Sequence, residues 1–250
     1  MKLIGNTVLI TGGGSGIGRG LAEALHKLGN QVIISGRRKG HLAETIKANP
    51  GMQSVELDVA DPASILAVAK KLIQEHPKLN VLINNAGIMK IDDAAGTVDE
   101  AVLVPIVTTN LMGPIRMTSA LIDHLKKQSS ATVINVSSGL AFVPLAMTAV
   151  YCATKAALHS YTLSQRYKLK GSSVTVLELA PPWVQTELLG NSNDPRAMPL
   201  QEFIDETMTV LGTDSDEILV ERVKKLRNNV GPDEAAFVTQ FNDSLVQQPH

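Results

Sequence analysis

Apolar residues along this chain gather into short runs, and longer stretches of mixed polarity separate the runs. Thr7–Thr11, Gln31–Ser35, Ser54–Asp58, Val81–Asn84, Thr132–Val136 and Val174–Leu179 are rich in Val, Ile and Leu. Several are continuous apolar runs, which predicts strands covered on both faces. Between them, Ile17–Leu28, Lys39–Ala48, Pro62–Glu75, Val98–Lys127 and Ala149–Lys168 pattern as helices. Asp61-Pro62 reads as a cap and first-turn pair for the third of these. Strand–helix–strand alternation requires crossovers that pair strands in parallel. The expected fold is therefore α/β, a doubly wound parallel sheet of six to seven strands.

The last seventy residues change character. Asn191–Arg196 is a turn-rich loop, and Leu200–Leu211 and Ser215–Arg227 are helix-like. Gly231-Pro232-Asp233 then leads into a third helical pattern over Glu234–Leu245. An insertion after the sixth strand is expected over the carboxyl ends of the strands, so residues 190–228 are read as a substrate-covering helical segment. Without an internal repeat or a low-complexity linker, residues 1–250 are expected to form a single domain.

Composition narrows the function. The chain is 44% hydrophobic but only 3% aromatic, so its core must be built from Ala, Val, Ile and Leu, as suits helices packed on a buried sheet. The net charge of −1 lacks the basic surplus that displaces counterions from nucleic acid, and no nucleic-acid partner is expected. The basic run Arg222–Arg227 is read as a solvated helix face. No apolar run approaches the ~20 residues that span a bilayer, so no membrane partner is expected. Cys152 is the sole cysteine, which leaves no intrachain disulfide, and the N-terminus lacks a signal-peptide pattern. A cytoplasmic location follows as the expectation. His26, His41, His76, His124, His159 and His250 are scattered without ligand spacing, and no catalytic metal is expected.

Candidate chemistry begins at Thr11-Gly12-Gly13-Gly14-Ser15-Gly16-Ile17-Gly18, between the first strand and the first helix. Glycine lets the backbone turn tightly and approach a pyrophosphate, and the helix N-terminus adds unsatisfied N–H groups and positive potential. This predicts a Rossmann-type dinucleotide site contacted by Gly12, Gly14, Ser15, Gly16, Ile17 and Gly18. The spacing Gly12-x-x-x-Gly16-x-Gly18 resembles the fingerprint of the short-chain dehydrogenase/reductase family. Later motifs extend the resemblance in order from residue 3 to about residue 190. It implies that Asp58, with Val59 beside it, contacts the adenine, and that Asn85, Ala86 and Gly87 (the family's N-N-A-G with Asn84) pack against the cofactor. At the end of the second strand, Gly36 stands where an acid would bind the ribose 2′-OH, and Arg37 and Arg38 follow. A missing acid and a guanidinium able to grip a phosphate favour NADP(H) over NAD(H).

Tyr151 and Lys155 lie four residues apart at the start of a helix, so both project from one face. A nearby ammonium is expected to lower the phenol pKa from ~10 into a useful range. Ser138 ends the fifth strand thirteen residues before Tyr151, where its hydroxyl can reach a carbonyl oxygen that Tyr151 also reaches. These residues, with Asn110 in the long helix, resemble the family's catalytic set. The resemblance implies that Tyr151 is the general acid/base, Ser138 polarises the carbonyl oxygen, and Lys155 also holds the nicotinamide ribose. It implies further that Asn110 interrupts the helix and supports a relay water. Pro181, Val184 and Thr186 match the family's segment around the carboxamide, and Tyr151 itself adjoins the cofactor.

Two departures stand out. Pro182 replaces the family's usual glycine, which stiffens that loop. The usual C-terminal ending is missing, so a seventh strand and the tetramer built on it are in doubt; a homodimer paired through the long fourth and fifth helices is expected. The apolar stretch Gly139–Met147, with Met89, Trp183, Leu188, Leu189, Met198, Phe203 and Met208, suggests a pocket for a small apolar ketone or aldehyde. The expected reaction is hydride transfer between that carbonyl and its alcohol. The alternatives are an NAD-dependent alcohol dehydrogenase and a catalytically idle dinucleotide sensor.

Overall fold

The computed structural model describes residues 1–97, 99–190, 194–229 and 231–246. Seven strands form one parallel sheet: β1 (Thr7–Thr11), β2 (Gln31–Gly36), β3 (Gln53–Glu56), β4 (Leu79–Asn84), β5 (Ala131–Val136), β6 (Val174–Leu179) and β7 (Glu217–Ile218). They lie side by side in the order β3-β2-β1-β4-β5-β6-β7. The order reverses between β1 and β4, which opens a crevice at the carboxyl ends of those two strands.

Helices α1 (Gly16–Lys27), α2 (Lys39–Ala48), α3 (Pro62–Glu75), α4 (Glu100–Val107), α5 (Gly113–Lys126) and α6 (Ala149–Leu169) make the crossovers. Helices α7 (Leu200–Leu211), α8 (Glu221–Arg227) and α9 (Glu234–Val246) follow β6. Alternate residues of β1 explain the continuous apolar runs. Val8 and Ile10 face a core with Leu21, Leu25, Phe203 and Leu211, whereas Leu9 faces a second core with Ile65, Leu72, Met117 and Leu121. Among the described residues, no helix is long and apolar enough to cross a membrane.

Several expectations are corrected. The third strand stops at Glu56, so Asp58 lies in the turn beyond it. The long helix expected over Val98–Lys127 is divided: Thr108–Met112 forms a π-helical turn between α4 and α5, and Val98 is outside the described residues. Pro114 has no N–H to offer the Asn110 carbonyl, which favours an interruption there, and Gly113 N–H reaches back to the Thr108 carbonyl. The helix expected over Ser215–Arg227 begins only at Glu221. Before it, Glu217 and Ile218 pair with Glu178 and Leu179, so a seventh strand is present but two residues long. Burial of Ile218 and Val220 at the sheet edge overrides the weak helical pattern there. In the turn-rich loop, residues 191–193 are outside the described residues.

Candidate active site

The crevice is lined first by the glycine loop. Gly12 has φ +67, and a Cβ there would lie 2.9 Å from Ala86 Cα. A Cβ on Gly18 would collide with the Gly12 carbonyl oxygen and the Asn85 side chain. Only glycine allows the loop to fold this tightly onto the end of β4. Thr11 completes the junction, its Oγ1 accepting from the amides of Asn85 and Ala86 at 3.0 Å each. The Asn85 side chain donates back to the Thr11 carbonyl at 2.9 Å, so Asn85 staples the loop.

Ser15, at the N-cap of α1, does not cap it; its hydroxyl accepts from Arg38 Nη2 at 2.7 Å. The first-turn amides of this 12-residue helix are therefore left without a side-chain cap at the switch point, the arrangement a pyrophosphate needs. Gly14 packs against His41, Ile17 packs toward the sheet, and Gly16 lies under Thr186, whose methyl group would be 3.3 Å from a Cβ there. Across the crevice Val184 pairs with Met198 in a short bridge, and the Pro181 carbonyl accepts from Gly139 N–H at 2.8 Å.

At the adenosine end, Arg37 is exposed and makes no hydrogen bond or ion pair among the described residues. Arg38 is committed to Ser15, with Glu187 3.9 Å away. Glu56 is the register partner of Gly36, but Lys39 holds it at 2.9 Å. One oxygen of Asp58 accepts from Ala60 N–H at 2.9 Å and closes the turn, and Val59 is buried beside Gly113. At this end, then, the exposed Glu56 is paired with Lys39, and Arg37 is uncommitted among the described residues.

The reacting end is buried. Tyr151 and Lys155 lie one turn apart on α6, with Lys155 Nζ 5.6 Å from the Tyr151 ring centre and 2.7 Å from the Val136 carbonyl it donates to. Asn110 accepts from Ile88 N–H at 2.9 Å and donates to the Ile88 carbonyl at 2.8 Å, and its amide also reaches Thr154. Gly87 sits between: a Cβ there would be 3.5 Å from Asn110 Oδ1 and 3.8 Å from Lys155 Nζ. All four sequence-predicted residues therefore converge.

Their electrostatics differ from the sequence expectation. Burial pushes the Tyr151 hydroxyl up to about 12, and a hydrogen bond with Ser138 pulls part of the way back. Burial also brings the Lys155 ammonium down, to about 8, opposed by the negative charge of Glu178. Desolvation is the largest influence on both groups.

Around Tyr151, the side chains of Ile88, Met89, Leu140, Leu145 and Val150 make an apolar wall. Trp183 and Leu188 are partly exposed, with Arg196 stacked 5.0 Å from the Trp183 ring. Met198 and Phe203, expected at the pocket, are instead fully buried in the core under α1, and Met208 packs on the same core. The amphipathic face of α7 turns Phe203 and Met208 onto this core, and Met198 enters it from the bridge with Val184. The Leu189 side chain is outside the described residues.

Sequence reasoning missed Asp92, Glu178 and Asn242. Asp92 accepts from Ala149 and Val150 N–H at 3.1 and 3.0 Å, capping α6 just before Tyr151. Asn242 of α9 accepts from Ala146 N–H and donates to the Pro144 carbonyl, pinning the same approach segment. None of the three lies in a motif whose spacing could have marked it. His159, Glu178 and Glu217 have ligand-type atoms within 4.8 Å of one another, but Arg227 grips Glu217 through two 2.9 Å bonds, which makes the cluster a charge network.

A glycine loop at a switch point, beside a buried tyrosine and lysine on one helix, defines a dinucleotide-dependent oxidoreductase. The chain belongs to the short chain dehydrogenase family, whose profile matches residues 6–197. It is 42% identical over 248 residues to an uncharacterized oxidoreductase, DltE, of Bacillus subtilis, covering 97% of this chain and 98% of that one. Its fold matches a short chain dehydrogenase from Burkholderia cenocepacia in complex with NADP, at a TM-score of 0.84 and 26% identity, over 100% of both chains. An NADPH-bound carbonyl reductase from chicken fatty liver is 29% identical at a TM-score of 0.76, with coverage of 84% of this chain and 92% of that one.

Proposed function

We propose that the protein is an NADP(H)-dependent carbonyl reductase/alcohol dehydrogenase acting on a small apolar ketone or aldehyde. The observation that carries this reading is the Tyr151 hydroxyl, buried beside Ser138 and one helical turn from Lys155 against an apolar wall. The bound dinucleotide would supply the hydride in reduction and take it up in oxidation.

The chain's own residues handle the proton. With its pKa pushed up, Tyr151 keeps its proton at neutral pH and can give it to the carbonyl oxygen. Ser138 is placed to hold that oxygen, and Lys155, still mostly charged at neutral pH, adds positive potential where oxygen becomes alcohol. Asn110 holds the end of β4 against α6, so the three groups keep their spacing. Gly12, Gly14, Ser15, Gly16, Ile17 and Gly18 would hold the pyrophosphate, and Asp58 and Val59 would flank the adenine. Pro181, Val184 and Thr186 would line the nicotinamide side. Arg37 would bind the 2′-phosphate, and the NADP-bound relative and the NADPH-bound carbonyl reductase agree with that preference. The 190–228 segment would cover the substrate, chiefly through the Trp183–Arg196 side and the contact of α8 with Gly139. A cytoplasmic homodimer is the assembly we favour.

The test is consumption of NADPH, and separately of NADH, against a panel of aryl and aliphatic ketones and aldehydes. Turnover is expected with NADPH, with a loss of about 10²–10⁴-fold in Tyr151→Phe while NADPH binding persists. Near wild-type turnover in that variant overturns the assignment. Tight NADPH binding without turnover on any compound favours the sensor reading.

A further inference from the structure

Behind Tyr151 and Lys155 lies a buried carboxylate that the proton-transfer scheme does not use. Glu178, near the end of β6, is 1% exposed. One oxygen accepts from Ser137 Oγ at 2.5 Å, and the other meets His159 Nδ1 at 2.7 Å. Both partners adjoin reacting groups. Ser137 immediately precedes Ser138, and His159 follows Lys155 by four residues on the same face of α6.

Sheet register shows how this arises. Asn84, Asn135 and Glu178 are successive partners across β4, β5 and β6, so a row of polar side chains lies at the carboxyl ends of three strands. Asn84 donates to Asn135, and Asn135 donates to Thr162 and Gln165 of α6. Within the row, only Glu178 is ionisable.

A buried carboxylate is costly unless charge and hydrogen bonds compensate it. The groups that face it are His159 and Lys155 from α6 and Arg227 from α8, with Arg227 itself held by Glu217 of β7. Tyr151 is the other titratable group facing Lys155. Burial works against the Lys155 ammonium, and the negative charge of Glu178 opposes that effect.

We propose that Glu178 is a positioning residue of this site: it supplies the counter-charge to the Lys155 ammonium, and through Ser137 it fixes the strand end that presents Ser138. The proposal rests on the catalytic reading of Tyr151 and Lys155. It assigns a role to a buried acid that a core of this composition would otherwise gain by replacing with an apolar residue.

The deciding measurement follows the ¹³Cε resonance of Lys155 against pH in the full chain labelled with ¹³C-lysine, identified by its loss in Lys155→Arg. Lys155 is expected to titrate at about 8 in the wild type and about one pH unit lower in Glu178→Gln, which keeps the shape and removes the charge. Ser137→Ala leaves the carboxylate in place and is expected to leave the titration where it was. The high-pH limb of the ketone-reduction rate should move to lower pH in Glu178→Gln by the same amount, because losing a negative charge lets the site release its proton earlier. A Lys155 titration in Glu178→Gln within about 0.2 pH unit of the wild type overturns the proposal. Should that variant fail to fold, Glu178→Asn removes the charge while keeping a hydrogen-bonding amide, and the same downward shift is required of it. Turnover surviving in Tyr151→Phe would remove the catalytic reading alone. A dead Tyr151→Phe with an unmoved Lys155 in Glu178→Gln would remove the positioning role alone.

Discussion

Lys155 shows how one side chain links the site to stability. Its folded pKa of about 8 lies below the ordinary value of 10.5, so the unfolded chain holds the proton more tightly. The ammonium therefore costs stability below pH 8, and the cost disappears as pH rises from 8 to 10.5. Tyr151 has the opposite sign: its folded value of about 12 exceeds 10, so the stability it contributes is present below pH 10 and lost as pH rises toward 12. Replacing Lys155 by Met removes the first effect. The stability of Lys155→Met relative to wild type should be more favourable at pH 7 than at pH 10 by about 2 kcal/mol. Urea unfolding at the two pH values checks this, and an equal difference at both would mean that burial does not disfavour the ammonium.

At the scale of elements, α6 carries the reacting pair, and its start is held from outside. Thr148, at its N-cap, makes no side-chain cap bond, and Asp92 from the segment after β4 takes over the first amides. The acid also places negative charge at the positive end of a 21-residue helix. Asp92→Ala is expected to cost about 1 kcal/mol, or about 2–4 °C in melting temperature. Because Ala149 and Val150 precede Tyr151 directly, turnover should fall while NADPH affinity stays. An unchanged melting temperature would show that water caps these amides equally well. The π-helical turn at Thr108–Met112 is a second such device, since it is the interruption at Pro114 that places Asn110 against Ile88.

At the scale of the whole molecule, apolar side chains remain uncovered on the outer faces of the crossover helices. Val104 of α4, Met112 of the π-helical turn, and Leu163 and Tyr167 of α6 are exposed, Tyr167 by 77%. Such side chains are what a subunit interface buries. Sedimentation is expected to give a dimer for the wild type and a monomer for Leu163→Asp with Tyr167→Asp; a monomeric or tetrameric wild type refutes the pairing. The two-residue β7 leaves little edge on which to build a larger assembly.

What the sequence determined by itself is whatever depends on neighbours a few residues away. Strand runs, helix periodicity, the glycine loop and the four-residue step from Tyr151 to Lys155 are all local, and local geometry follows from covalent spacing. The tertiary structure alone decided what depends on distant partners. The Asp92 cap reaches across 57 residues, Asn242 reaches across 96 to Ala146, and Glu178 meets Ser137 across 41. The same holds for β7, whose two residues are a strand only because β6 lies beside them. It holds also for Met198 and Phe203, whose apolar character was plain while the surface they cover was not. The ionisation of Tyr151 and Lys155 belongs with these, because burial by the whole fold is the largest influence on both.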